Sequence, residues 1–144
     1  MLVRDRMISP EKRLSADLPM ASVIGVFDKI NSSWLPVIDQ EGTMLGLLTW
    51  ADARRAGKLI ENGSQAPDHE LLVRDFMTTK YLFVTENMPI EEAARIMIDY
   101  DISELPVVKD GYYTGIITEK GIARAPFREA FEAMGIRPVE KYVK

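Results

Sequence analysis

Residues 87–100, NMPIEEAARIMIDY, place apolar Ile90, Ala93, Ala94 and Met97 at the spacing of one buried helix face. The flanks agree: Asn87 is a candidate cap, Pro89 suits the first turn, and Glu91 and Glu92 fall near the positive helix end. The period then changes from helix to strand. YLFVT at 81–85 is rich in β-formers, and ELPVVKDGYYTGIIT at 104–118 gives two apolar runs joined by Asp110-Gly111, a strong hairpin signal.

The same pattern occurs once before. Val3, Arg4, Asp5 and Met7 recur as Val73, Arg74, Asp75 and Met77, Pro19 recurs as Pro89, and Leu35-Pro36-Val37 recurs as Leu105-Pro106-Val107, all at an offset of 70. Beyond that the offset is 69, pairing Gly46 with Gly115 and Thr49 with Thr118; the slip lies where QEGT faces DGY, at a turn that tolerates a length change. Met20, Val23, Ile24 and Phe27 match the helix face of the second copy. Each copy predicts a leading segment, a strand, a helix, two strands and a closing helix, an α/β (α+β) class with two tandem β-α-β-β-α repeats. The boundaries read 1–62 for the first repeat, 63–72 for a Gly- and Pro-bearing polar linker, 73–125 for the second repeat and 126–144 for a helical tail. In that tail Phe127, Ala130, Phe131 and Met134 share a face that ends at Gly135.

A second stripe flanks both helices, Val26 with Ile30 and Ile96 with Tyr100. Two readings stand: a wide core face, or a surface kept for another subunit, which predicts a homodimer.

Composition narrows the class. The 144 residues include 47% hydrophobic and 28% charged positions, ordinary for a globular protein, and no apolar run is long enough to span a bilayer. The first ten residues do not resemble a secretory leader, there is no Cys, and the formal net charge is −4, so the expectation is a cytoplasmic protein that binds neither nucleic acid nor membrane. Catalytic constellations are missing: His69 lies in the polar linker, no Ser stands in a recognisable relation to a base, and no Gly-rich phosphate loop occurs. No metal site and no catalytic residue are expected. Trp34 and Trp50 read as packing residues, although Trp50, directly after Thr49, is also placed to shield a ligand.

What remains is GLLTWAD at 46–52 against GIITEKG at 115–121. Thr49 and Thr118 sit at strand-to-helix junctions, where a hydroxyl caps the helix, and Asp52 is placed to meet the helix dipole. On that reading Asp52→Ala costs at most about 0.3 to 1 kcal/mol and leaves the fold intact.

Two copies of this unit, each with LPV opening the second strand and G-aliphatic-aliphatic-T closing the third, resemble a pair of cystathionine-beta-synthase (CBS) domains, a Bateman module packed with pseudo-two-fold symmetry. The resemblance implies a non-enzymatic regulatory module that binds an adenosine-containing ligand, AMP, ADP or ATP, in a cleft between the repeats. It implies that Asp52 accepts from the ribose hydroxyls, that Thr49 lies near ribose or phosphate, and that Leu35 and Pro36 line the adenine slot. In similar modules the other copy's first strand completes the cleft, which brings in Thr79, Lys80 and Leu82. The second cleft, with Thr118 but Gly121 in place of the acid, is degraded, and Lys120, Lys12, Arg13 and Arg124 give it a basic character. A different class stays open: a scaffold that dimerises and docks on a partner enzyme or transporter without binding nucleotide.

Overall fold

The computed structural model describes residues 1–10, 12–30, 32–63 and 70–123. His69 and the tail lie outside these residues. Two compact units form, and they are cut differently from the sequence repeats. One is contiguous, Glu11–Tyr81; the other joins Met1–Pro10 to the chain from Leu82 onward.

In the contiguous unit, α1 (Met20–Val23) runs into a 3-10 turn (Ile24–Asp28), followed by β1 (Trp34–Ile38), β2 (Met44–Thr49), α2 (Trp50–Glu61) and α3 (Val73–Phe76). The discontinuous unit has a 3-10 turn (Val3–Asp5), α4 (Ile90–Asp99), β3 (Glu104–Lys109), β4 (Tyr112–Thr118) and α5 (Glu119–Ile122). The strands form antiparallel hairpins in equivalent register: Leu35 faces Leu48 and Val37 faces Gly46, as Leu105 faces Ile117 and Val107 faces Gly115. Both hairpins bulge one residue later. Asp110 and Gly111 have φ of 50° and 85°, the positive pair of a tight turn. The longer loop of the first hairpin is instead held by the Asp39 carboxylate, which accepts from the N–H groups of Glu41 and Thr43.

Each unit closes on its own apolar core. Leu35, Val37, Leu48, Met20, Val23 and Val73 are buried together in one, and Leu105, Val107, Ile117, Ile90, Met97 and Val3 in the other. Val3 and Val73 are fully buried, so each leading segment is anchored in the core of the unit built on the other repeat's sheet. The anchoring is also polar. Met1 O accepts from Ile90 N at 3.0 Å and Leu71 O accepts from Met20 N at 2.8 Å. These bonds satisfy the first orphan donor of each helix start with a backbone carbonyl, and α4 starts from Pro89 with no side-chain cap, so Asn87 is not the cap.

Two further expectations are corrected. The strand expected over YLFVT does not form; Val84 alone bridges β3, with Val84 N donating to Pro106 O and Val108 N to Val84 O. Leu14 does the same against Pro36 and Ile38. The next rung toward the N-terminus needs an N–H at Pro106 or Pro36, and proline has none. The LPV motif thereby blocks extension of the bridge on that side in both units. The first-copy helix is also shorter than its counterpart, turning 3-10 where Gly25 stands in place of Arg95.

Of the second stripe, Val26 and Ile30 lie against the core of their own unit and Ile96 against that of its own. Tyr100 lies beyond the end of α4 and is 61% exposed.

The repeated glycine has a steric cause. A Cβ on Gly46 would lie 2.6 Å from the Thr78 carbonyl oxygen, and one on Gly115 would lie 2.8 Å from that of Ile8. At both places a backbone crosses directly over the strand, with Thr78 exchanging two hydrogen bonds with Leu47 and Ile8 exchanging two with Ile116. Gly46→Ala is therefore expected to destabilise the protein by about 1 to 3 kcal/mol through overpacking. Gly25→Ala, whose added methyl meets nothing within 4 Å, should change stability by less than about 1 kcal/mol. Denaturant midpoints of the two variants check this pair.

Candidate functional site

The junction of β2 and α2 is built on reciprocal caps. Thr49 ends the strand in extended conformation, its Oγ1 accepts from Asp52 N at 3.0 Å, and Asp52 Oδ2 accepts from Thr49 N at 2.9 Å. Asp52 is 6% exposed, the only buried charged residue among those described. Its burial is sustained by these bonds, by the positive end of a 12-residue helix and by the Thr78 hydroxyl, which donates to Oδ2 at 3.1 Å. Oδ1 is held more loosely. It faces Arg55 Nη1 at 3.5 Å, and the Arg55 guanidinium also lies 5.2 Å from the centre of the Phe76 ring.

These contacts enlarge the role expected for Asp52. The carboxylate is more than a first-turn acid: it joins α2 to the segment that crosses Gly46, because Thr78 supplies both the hydroxyl at Asp52 and the carbonyl over the glycine. Nearby, the Tyr81 hydroxyl donates to Met44 O at 3.3 Å, and burial pushes its pKa up.

The second copy keeps the hydroxyl cap and loses the acid. Thr118 Oγ1 accepts from Gly121 N at 3.0 Å, with no carboxylate to reciprocate. Ile8 stands at the position equivalent to Thr78, so both members of the Thr78–Asp52 pair are replaced together. The helix that follows, α5, has four described residues.

The other expected residues fall as follows. Leu35 is a core side chain, and Pro36 is buried with its carbonyl bonded to Leu14 N. Thr79 and Lys80 are exposed and follow Thr78 directly, in the same unit as Asp52; Leu82 is exposed and belongs to the other unit. Lys12 and Arg13 are exposed in the contiguous unit, whereas Thr118 and exposed Lys120 belong to the discontinuous one; Arg124 is outside the described residues. Trp50 is 48% exposed, with the Arg54 guanidinium 4.6 Å from its ring centre. Thr78 and Arg55 were not among the expected site residues. The signal for Thr78 was its pairing with Ile8 at the same place where Asp52 pairs with Gly121.

The model of the CBS domain matches residues 3–58 and 73–134. The chain belongs to the CBS domain family. Both copies match, and a solved CBS domain pair, that of protein MJ0100 in complex with 5′-methylthioadenosine and S-adenosyl-L-methionine, is similar at 26% identity and a TM-score of 0.64, covering 86% of this chain and 94% of that one. The fold is also that of CBSX2 in complex with AMP, at a TM-score of 0.72 and 24% identity over 90% of this chain and 98% of that one. Among curated relatives, L-aspartate semialdehyde sulfurtransferase of Methanocaldococcus jannaschii is 27% identical over 85% of this chain, and inosine-5′-monophosphate dehydrogenase of Aquifex aeolicus is 29% identical over 86%. The CBS pair spans 23% of the length of each. CBS domain-containing protein YhcV of Bacillus subtilis is 25% identical over 80% of this chain and 78% of its own length. No helix among the described residues is long and apolar enough to cross a membrane.

Removing the Asp52 carboxylate leaves the Thr49 N–H and the Thr78 hydroxyl without their acceptor. Asp52→Ala is expected to lower stability by about 1 to 3 kcal/mol, more than the dipole alone accounts for. Asp52→Asn, whose amide oxygen can still accept at the cap, should cost less. Chemical denaturation of both variants measures the difference.

Proposed function

We propose that this CBS pair is a non-enzymatic regulatory module that binds an adenosine-containing ligand, AMP, ADP or ATP, at the α2 N-terminus. The observation that carries the proposal is Asp52: a buried carboxylate whose Oδ2 is committed to the fold while Oδ1, among the described residues, has only the long contact to an exposed arginine. An oxygen so placed can accept from a ribose hydroxyl, and the adjacent helix end and Thr49 favour a phosphate. Similar CBS pairs solved with S-adenosyl-L-methionine and with AMP support the ligand class. The cytosolic domain of the Mg2+ channel MgtE, similar in fold and solved with ATP, supports a module that reports to a partner protein.

Titration of the purified protein with AMP, ADP, ATP and their 2′-deoxy counterparts by calorimetry and thermal shift is the test. Saturating ligand should raise the melting temperature, with about 2.7 kcal/mol of stabilisation at a hundredfold excess over Kd. Asp52→Asn should weaken AMP by about tenfold to a hundredfold and narrow the preference over 2′-deoxy-AMP. A protein whose melting ignores every adenosine compound refutes this function and favours a scaffold that docks without nucleotide.

The module is further proposed to act as a homodimer, a reading supported by the exposure of Ile98 and Tyr100 at the end of α4. Light scattering over a dilution series should give twice the chain mass; a monomer at tens of micromolar, roughly where weak dimers persist, refutes it.

A further inference from the structure

Arg55 lies one helical turn beyond Asp52, and its guanidinium reaches two places at once. Nη1 is 3.5 Å from Asp52 Oδ1, the edge of hydrogen-bond range, and the guanidinium carbon is 5.2 Å from the Phe76 ring centre. The side chain is 58% exposed, whereas the carboxylate it faces is 9% exposed. Exposed pairs of this kind contribute little stability, and the contact is long even for an ion pair. It is nevertheless the only contact that Oδ1 makes among the described residues, since Oδ2 takes both Thr49 N and the Thr78 hydroxyl.

We propose that Arg55 is a specificity-determining residue that makes this site select adenosine ligands carrying a phosphate over neutral nucleosides. The inference rests on the ligand site proposed above. A ribose hydroxyl that approaches Oδ1 must take the place of the guanidinium there. For a neutral nucleoside that displacement is uncompensated, because the arginine gives up its carboxylate and gains only solvent. A nucleotide brings an anion with it. The guanidinium, weakly held and presenting five donors in a planar fork, turns from Oδ1 to the phosphate, which frees the acceptor and pairs the charge in one movement. The Phe76 face keeps the cation close to the site during the exchange. The neighbouring Arg54 has no such relation, since it stacks on Trp50.

The test measures Kd for AMP and for adenosine in the full chain and in Arg55→Gln, Arg55→Lys and Arg54→Gln. Glutamine removes the charge at an exposed position and keeps a polar end, so the fold should persist, and a thermal melt without ligand verifies it. The AMP-to-adenosine affinity ratio should fall about tenfold or more in Arg55→Gln, with adenosine binding equal to or tighter than in the parent. Arg55→Lys should retain part of the ratio, and Arg54→Gln, which makes the same change in net charge one residue away, should retain all of it. An unchanged ratio in Arg55→Gln, or an equal fall in Arg54→Gln, overturns the role of Arg55 while leaving the ligand site standing. A parent protein that binds neither AMP nor adenosine overturns the site itself, and the role of Arg55 with it.

Discussion

The architecture depends on two backbone crossings, Thr78 over Gly46 and Ile8 over Gly115. A strand that accepts another segment so closely cannot carry a side chain at the point of contact, and the space it leaves is filled by a carbonyl whose residue both accepts from and donates to the strand. From this follow the exchange of leading segments, the burial of Val3 and Val73, and the capping of α1 and α4 by main-chain carbonyls. In the contiguous unit the same crossing delivers the Thr78 hydroxyl to Asp52, so the geometry of the candidate site is set by the docking of the segment that follows α3.

The two copies show what a duplicated fold must keep and what it can change. Both retain the glycine, the Thr cap, the bulge and the proline. They diverge at the buried polar pair. Asp52 with Thr78 becomes Gly121 with Ile8, and a change at only one of these positions would have left a buried carboxylate with fewer donors or a hydroxyl without its acceptor. The paired replacement accounts for why the motif is repeated while the acid is not.

Much of this was legible in the residues. The offset of 70 and the face of Ile90, Ala93, Ala94 and Met97 describe the duplication and the buried side of α4 without any structure, because periodicity reports burial directly. The hairpin at Asp110-Gly111 was equally plain. What escaped were effects that depend on residues far apart in sequence. The β-rich YLFVT pairs through Val84 alone, with Pro106 on the facing strand offering no N–H for the rung before it, and Asn87 is superseded as a cap by the carbonyl of Met1. Thr49 and Asp52 were visible from local spacing, while Thr78 and Arg55 depend on which way a segment crosses and where a long side chain settles.

The exchange also bears on the order in which the molecule can be made. The contiguous unit holds all of its sheet, its helices and its crossing segment within Glu11–Tyr81, so it can complete its core while the rest of the chain is still being synthesised. The other unit cannot. Val3 packs with Ile90, Leu105 and Ile117, so its core closes only when the segments on either side of Glu11–Tyr81 have come together. That closure spans a longer stretch of chain than any the contiguous unit needs and carries the larger loop-closure entropy.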